Sequence, residues 1–442
     1  MLLRYVTTHQ KFFSRFASLY KICILFSSSG INGLTNFSCS GTEKMIFRIH
    51  TILAVTGLLI VSIISWKGYS YFFDTHSPQL VLSGLSENSY YNGDIVCSIA
   101  CNKSGTISVA LDEKPLTRAY EGIKRNRDYP FTIPTQTLNN GKHTLKVEFT
   151  DSSYHKNKAS HSCSFFVDNL PLQAALVQSE SEYKVLQGRT LHVQFQVNKE
   201  IESAYVYALA NKYASFPEAK NSLIYECFIP TSCEETPNEY LFSVEIADKV
   251  GNTVTLDNKF QIVLYPFKKE TLHVSAEKLK EEREKGDDQQ KLEDALVQIN
   301  EKSWREKLWH GAFCLPIDNG RVTCEFGTVR TTQERGRYMH RAIDLINAPR
   351  SVVWATQNGV IAHMGRYVNS GNTVIIDHGW GILSLFFHLE DFANIKVGQR
   401  VAKGNPIGTI GKTGYATGYH LHWEMRVNNM PVDPMQWIKQ NY

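Results

Sequence analysis

Between Ile49 and Trp66 the chain runs eighteen residues without an Asp, Glu, Lys or Arg. At about 1.5 Å per residue a helix of that length spans roughly 27 Å, close to the hydrocarbon thickness of a bilayer. A core helix of a soluble domain would carry a continuous polar stripe, and this run has none. Residues 45–67 therefore read as a transmembrane signal anchor. Arg4, Lys11, Arg15, Lys21, Lys44 and Arg48 precede the run, and Lys67 is the only base soon after it. The positive-inside rule then places the N-terminus in the cytoplasm and everything beyond Lys67 outside it, as a single-pass protein of the inner (cytoplasmic) membrane with a periplasmic body. Gly68-Tyr69-Ser70 is a small-x-small pattern that a signal peptidase would accept, which would make the anchor a removed signal; the anchor is the preferred reading. Met45-Ile-Phe-Arg48 ahead of the run looks like an N-terminus in itself, leaving residues 1–44 as a cytoplasmic or a spurious extension.

At 442 residues the chain has room for roughly two to four domains. Hydrophobic residues make up 43% and charged residues 20%, which excludes a disordered or fibrous protein. Lys+Arg number 47 against 43 Asp+Glu, too even a balance to imply nucleic acid as a partner. Of nine cysteines, Cys23 and Cys39 precede the apolar run; Cys97, Cys101, Cys163, Cys227, Cys233, Cys314 and Cys324 follow it, where an oxidising compartment permits disulfides. The short loops between Cys227 and Cys233 and between Cys314 and Cys324 suggest pairs, with Cys163 taking Cys97 or Cys101. A zinc ribbon is disfavoured because Cys97-x-x-x-Cys101 has no second close pair like it.

The fold class expected is mainly β. From about Ser77 to Pro266 short alternating runs are separated by turn residues, as in Thr144–Thr150 after Asn139-Asn-Gly141. Val147-Glu-Phe-Thr-Asp151 recurs as Val244-Glu-Ile-Ala-Asp248, an offset of 97 residues, about one immunoglobulin-like sandwich. Two tandem Ig-like β-sandwiches, 77–169 and 170–266, are expected as spacers or wall-binding modules. Residues 267–310 turn to mixed charge with Leu292, Leu296 and Ile299 on one helical face, a charged helical connector divided at Gly286. Its charges read as a solvated face, with a regulatory arm over the next domain as the alternative.

Residues 311–442 return to β character, with Val352–Ala355, Gly359–Ala362, Asn372–Ile376 and Ile382–Phe387 set between glycine turns. Into this frame fall His340-x-x-x-Asp344, His388 and His420-Leu-His422-Trp-Glu424. On a strand His420, His422, Glu424 and Arg426 share one face, read as wet and polar, and Leu421, Trp423, Met425 and Val427 share the other, read as core. In an extended segment the same period puts His340 and Asp344 on a common side. Catalytic zinc usually takes three protein ligands and keeps one position open. Two His and one Asp neutralise only one of the metal's two charges, leaving it able to acidify water and polarise a carbonyl.

These motifs, with Gly414-Tyr-Ala-Thr-Gly-Tyr-His-Leu-His422 and the framework Asp377-His378-Gly379, Val397-Gly-Gln-Arg-Val401 and Val432-Asp433-Pro434, resemble the M23 (LytM/lysostaphin-type) zinc endopeptidases of peptidoglycan. The resemblance covers about Cys314 to Ile438. It implies a β-rich domain with one zinc ion on His340, Asp344 and His422, and His388 and His420 orienting or deprotonating the attacking water and stabilising the tetrahedral intermediate. It further implies hydrolysis of peptide bonds in the stem or cross-bridge of peptidoglycan. Ala342 stands where the family generally has Gly, Phe386 where Tyr is common, and Tyr419 where Pro is common. His378 reads as structural, His310 and His363 match no ligand position, and Glu424 reads as support for the site or a rival base. The alternatives are a LytM-like activator of a separate amidase, which would lack ligands this chain has, and an envelope scaffold. A regulatory protein partner and the oligomeric state stay open.

Overall fold

The computed structural model describes residues 41–116, 120–271, 288–332 and 336–442, with side chains from Arg48 onward. The extension up to residue 40, Cys23, Cys39 and the Gly286 division lie outside the described residues. A helix, Gly41–Phe73 (α1), contains the apolar run, and within it Arg48–Phe73 is long and apolar enough to cross a membrane, with none of it buried in protein. Beyond α1 the described residues are mainly β, and they separate into two compact units, those up to 89 with those in 94–134 and 142–165 in one, the remainder in the other.

In the first unit Leu80–Ser83, Ile95–Cys101 and Asp128–Ile133 form an antiparallel sheet, and Gly105–Leu111 pairs with Gly141–Asp151 in a second. Alternation selects the core: Ile99, Ile107, Val147 and Phe149 are inaccessible while their strand neighbours face out. In the second unit Thr190–Val197 and Ile224–Pro230 lie in a four-stranded sheet, and Ile201–Ala208, Glu239–Asp248 and Thr253–Val263 in a five-stranded one. Val193 and Phe195 from one and Val206, Val244 and Ile246 from the other close a single apolar core.

The recurring pentapeptides have equivalent roles. Asp151 ends its strand buried, accepts from Ser153 and Asn157 in the turn that follows, and has the Lys103 ammonium at 3.2 Å. Asp248 does the same with Asn252 and Lys199, the latter at 2.7 Å. Burial alone would raise both carboxyl pKa values; the turn donors and the lysine outweigh it and hold them low. Each carboxylate thus stitches the turn after its strand.

The C-terminal part of the second unit begins with Lys269–Thr271 (β1) and Gln289–Glu301 (α2). Strands Arg321–Cys324 (β2), Val329–Thr332 (β3), Gly336–Met339 (β4), Ile343–Ile346 (β5), Val352–Trp354 (β6), Gly359–Tyr367 (β7), Gly371–Asp377 (β8), Ile382–Phe392 (β9), Arg400–Val401 (β10), Pro406–Ile410 (β11), Leu421–Val427 (β12) and Met430–Val432 (β13) follow, then Pro434–Lys439 (α3). One sheet runs β2-β5-β12-β9-β8-β7-β10, with β11 against β9 and β6, and β13 against β12; β1, β3 and β4 form a separate small sheet. Pro434 opens α3 and the Asp433 carboxylate caps it by accepting from the Met435 N–H. Gln436 on α3 exchanges two hydrogen bonds with the Thr190 backbone, and Phe228 packs among Trp309, Trp380 and Trp437, so the two-sheet body and the C-terminal sheet share an aromatic core.

Three expectations need correction. The polar face of β12 is not wet: Glu424 and Arg426 are 5% and 7% exposed, ion-paired to each other, and Glu293 of α2 grips Arg426 with both oxygens at 2.8 and 3.0 Å. The connector's charges are not all a solvated face, because Glu293 is taken up by Arg426, while the apolar face expected of Leu292 and Leu296 packs against Ile375, Leu383, Leu385 and Phe387. The cysteine pairs do not form, and all seven cysteines after α1 are free thiols. Cys314 donates to the carbonyls of Ala355 and Thr356, whereas Cys324 lies beside His340 and Asp344, so the two face different surroundings.

Candidate active site

Pairing in the main sheet brings the chemical residues together. Asp344 on β5 and His422 on β12 are direct cross-strand partners, so their side chains leave the sheet side by side. Phe387 on β9 is the partner of His422 on its other flank, and its ring stacks on the imidazole at 5.2 Å between centroids and 5° between planes. His340 lies between β4 and β5, fixed by its own backbone: its N–H donates to Thr328 and its carbonyl accepts from Gly327. His388 follows Phe387 with φ of 60°, a left-handed conformation that turns its ring out of the strand's alternation, and its N–H donates to the Ser370 carbonyl. His420 precedes β12 and bridges to Gly411. A Cβ on Gly411 would lie 2.6 Å from the His388 carbonyl, so only glycine lets that segment close on His388.

Three donor atoms form a near-equilateral triangle. His340 Nε2 is 3.1 Å from Asp344 Oδ1 and 3.2 Å from His422 Nδ1, and His422 Nδ1 is 3.1 Å from Asp344 Oδ1. Ligand atoms about 2.0–2.1 Å from a tetrahedral ion stand roughly 3.3 Å apart, so the triangle has the size for zinc. The donor chemistry fits as well. Burial pushes the His340 pKa down to about 4 against the opposing pull of Asp344, leaving a neutral imidazole, and its Nδ1 is buried without a partner. Burial would raise the Asp344 pKa, but hydrogen bonds and charge from His340 and His422 hold it far below the usual carboxylate range. The result is two imidazole nitrogens and one carboxylate oxygen converging on one point.

His388 and His420 stand against this triangle, with ring centroids 4.8 Å apart, and the His388 centroid is 5.9 Å from that of His422. His388 Nδ1 is 2.8 Å from the Thr413 carbonyl and His420 Nδ1 is 2.9 Å from that of Gly418. A carbonyl only accepts, so in the neutral rings each Nδ1 carries the proton and each Nε2 keeps its lone pair. His420 Nε2 is 3.9 Å from Asp344 Oδ1. Burial, then the neighbouring imidazoles, push the His388 pKa down to about 3.

The structure brings together all five residues singled out in the sequence, His340, Asp344, His388, His420 and His422. It leaves the others aside. His378 is inaccessible and bonded to the Asn358 carbonyl and the Ser384 hydroxyl, His363 is bonded to Tyr367, and Glu424 is taken up by Arg426. Phe386 is buried in the apolar core with Trp423. Two residues escaped sequence reasoning. Arg330 on β3 donates to Asp344 Oδ2 at 3.0 Å. Cys324, the cross-strand partner of Asp344, puts its sulfur in a wider group in which the ligating atoms of Cys324, His340 and Asp344 lie within 4.8 Å of one another. The triangle with His422 is the tighter set and the one sized for an ion.

Residues 338–434 match the family described as peptidase family M23. The DD-carboxypeptidase/endopeptidase Mpg of Neisseria meningitidis is 39% identical over 97 residues, 22% of this chain and 22% of that protein. The peptidoglycan DD-endopeptidase ShyC of Vibrio cholerae is 34% identical over 120 residues, 27% of this chain and 28% of that protein. The match therefore spans about a quarter of the length of these relatives. Among solved structures, a putative peptidase M23 from Pseudomonas aeruginosa is 20% identical with a TM-score of 0.42, over 57% of this chain and 94% of that one. The C-terminal region of this chain is a peptidase family M23 domain.

Proposed function

We propose that this chain is a zinc-dependent endopeptidase that hydrolyses peptide bonds in the stem or cross-bridge of peptidoglycan, acting in cell-wall remodelling from the outer side of the cytoplasmic membrane. His340 Nε2, Asp344 Oδ1 and His422 Nδ1 would hold the metal. Bound there, zinc would supply Lewis-acid polarisation of the scissile carbonyl and lower the pKa of a water. The side chains supply the proton transfers. His388 and His420, each with Nδ1–H tied to a backbone carbonyl, offer Nε2 lone pairs on the same side as the triangle. One takes the proton of the attacking water, and as an imidazolium it stabilises the oxyanion or passes the proton to the leaving amine. Phe387 keeps the His422 ring from turning. The names of the relatives support a cell-wall peptide as substrate, and α1, with Ig-like modules after it, suits an anchored enzyme.

The observation that carries this reading is the 3.1–3.2 Å triangle with two further imidazoles against it. An activator of another enzyme would have no need of a complete donor set. The reading predicts that His340→Ala, Asp344→Ala and His422→Ala lose zinc and cleavage together. His388→Ala should keep the metal and lose about 100-fold or more in turnover on isolated sacculi, the usual scale for a positioned acid–base side chain. Metal analysis paired with mass spectrometry of released muropeptides separates these outcomes. Full zinc content in the first three variants would refute the ligand set, and normal turnover in His388→Ala would refute its catalytic role.

A further inference from the structure

Building on the metal site just proposed, we infer that Arg330 is a positioning residue: its guanidinium fixes Asp344 as a one-oxygen donor, and the strand following the two-sheet body holds Arg330 in place. The two oxygens of Asp344 face different partners. Oδ1 is 3.1 Å from both His340 Nε2 and His422 Nδ1, whereas Oδ2 is 3.0 Å from an Arg330 terminal nitrogen. A carboxylate without that partner is free to rotate and offer both oxygens to a cation, which would use up the position a substrate or water needs. With Oδ2 engaged, only Oδ1 points into the triangle.

Arg330 is placed for this contact. Its side chain is 17% exposed, and its Nε is buried with no hydrogen-bond partner, the nearest carboxylate oxygen of Glu270 being 3.7 Å away. Arg330 directs a terminal nitrogen at a candidate metal ligand. The backbone beneath it is tied to β1, where Arg330 is the parallel partner of Glu270, and Val329 N–H donates to the Lys268 carbonyl. Phe267 seals the same turn. A Cβ on Gly327, whose φ is +77°, would lie 2.1 Å from the Phe267 ring, and the Gly327 N–H donates to the His340 carbonyl. The segment from Phe267 to Thr271 therefore supports both His340 and, through Arg330, Asp344.

The experiment measures Zn²⁺ affinity of the full chain in detergent by competition with a chromophoric chelator, together with the visible spectrum of the Co²⁺-substituted protein. Arg330→Gln should weaken zinc binding about 10 to 100-fold, the range for loss of a partner that orients a metal ligand, and change the cobalt band intensity as Asp344 binds through both oxygens. Arg330→Lys keeps the buried cation, and so the fold, but lacks the fork; it should weaken zinc binding several-fold and shift the spectrum in the same sense. Zinc affinity within twofold of the parent with an unchanged cobalt spectrum, in either variant, overturns the inference. Asp344→Ala in the same assay tests the metal site separately: loss of zinc upholds it, and retained zinc overturns it whatever Arg330 does.

Discussion

His378, read as structural from the sequence, shows at the scale of one residue what sets a structural histidine apart from a working one. It lies between Asp377 and Gly379 in a framework motif, yet it is inaccessible, with Nδ1 donating to the Asn358 carbonyl and Nε2 accepting from Ser384. Burial pushes its pKa down to about 4, against about 6.5 for an unfolded histidine. Between those values the unfolded chain binds a proton that the folded chain refuses. Stability from this group is therefore present above pH 6.5 and is lost as pH falls toward 4, by about 3 kcal/mol in all. With chelator present, His378→Gln should unfold at lower urea than the parent at pH 7.5, and the gap should shrink toward pH 4; a constant gap would count against a neutral buried imidazole. His340, Asp344, His420 and His422 were legible because His-x-x-x-Asp and His-x-His carry their chemistry in residue type and spacing, whereas His388 lies in neither motif and entered through the family resemblance. Arg330 and Cys324 were not legible, because only the pairing register of β3 on β4 and of β2 on β5 brings them to Asp344.

At the scale of elements the alternation on β12 was legible in its apolar half: Leu421, Trp423, Met425 and Val427 are all inaccessible. The polar half was misread because a two-residue period tells which side chains share a face, not what covers that face. The cover is α2, whose Leu292 and Leu296 settle on Leu383, Leu385 and Phe387 while Glu293 reaches Arg426. Phe387 is also the ring stacked on His422, so the connector helix supports the site from behind. Leu296 is 0% exposed, and truncating such a side chain costs about 2–5 kcal/mol in transfer and cavity terms. Leu296→Ala should lower the urea midpoint accordingly. A loss under about 1 kcal/mol would mean that α2 is not docked in solution.

At the scale of the whole molecule, the proposed oxidising destination has to be reconciled with the seven free cysteines among the described residues. Cys97, Cys101, Cys163, Cys227, Cys233 and Cys324 are buried and Cys314 is partly so, and burial raises every one of these thiol pKa values, to about 11 for Cys97, Cys163 and Cys324 and about 12 for Cys227. Thiols kept protonated and covered exchange slowly with oxidants, so the folded body tolerates a compartment that would couple exposed ones. That destination depends on α1. If α1 spans the membrane with its basic flank inside, alkaline phosphatase fused after Phe73 should be active in cells, because that reporter matures only where disulfides form. The intact chain should then stay with the membrane pellet through alkaline carbonate washing. A soluble product beginning just after Ser70 would show that the helix is a removed signal, and an inactive fusion would place the domain on the wrong side of the membrane for a wall peptide.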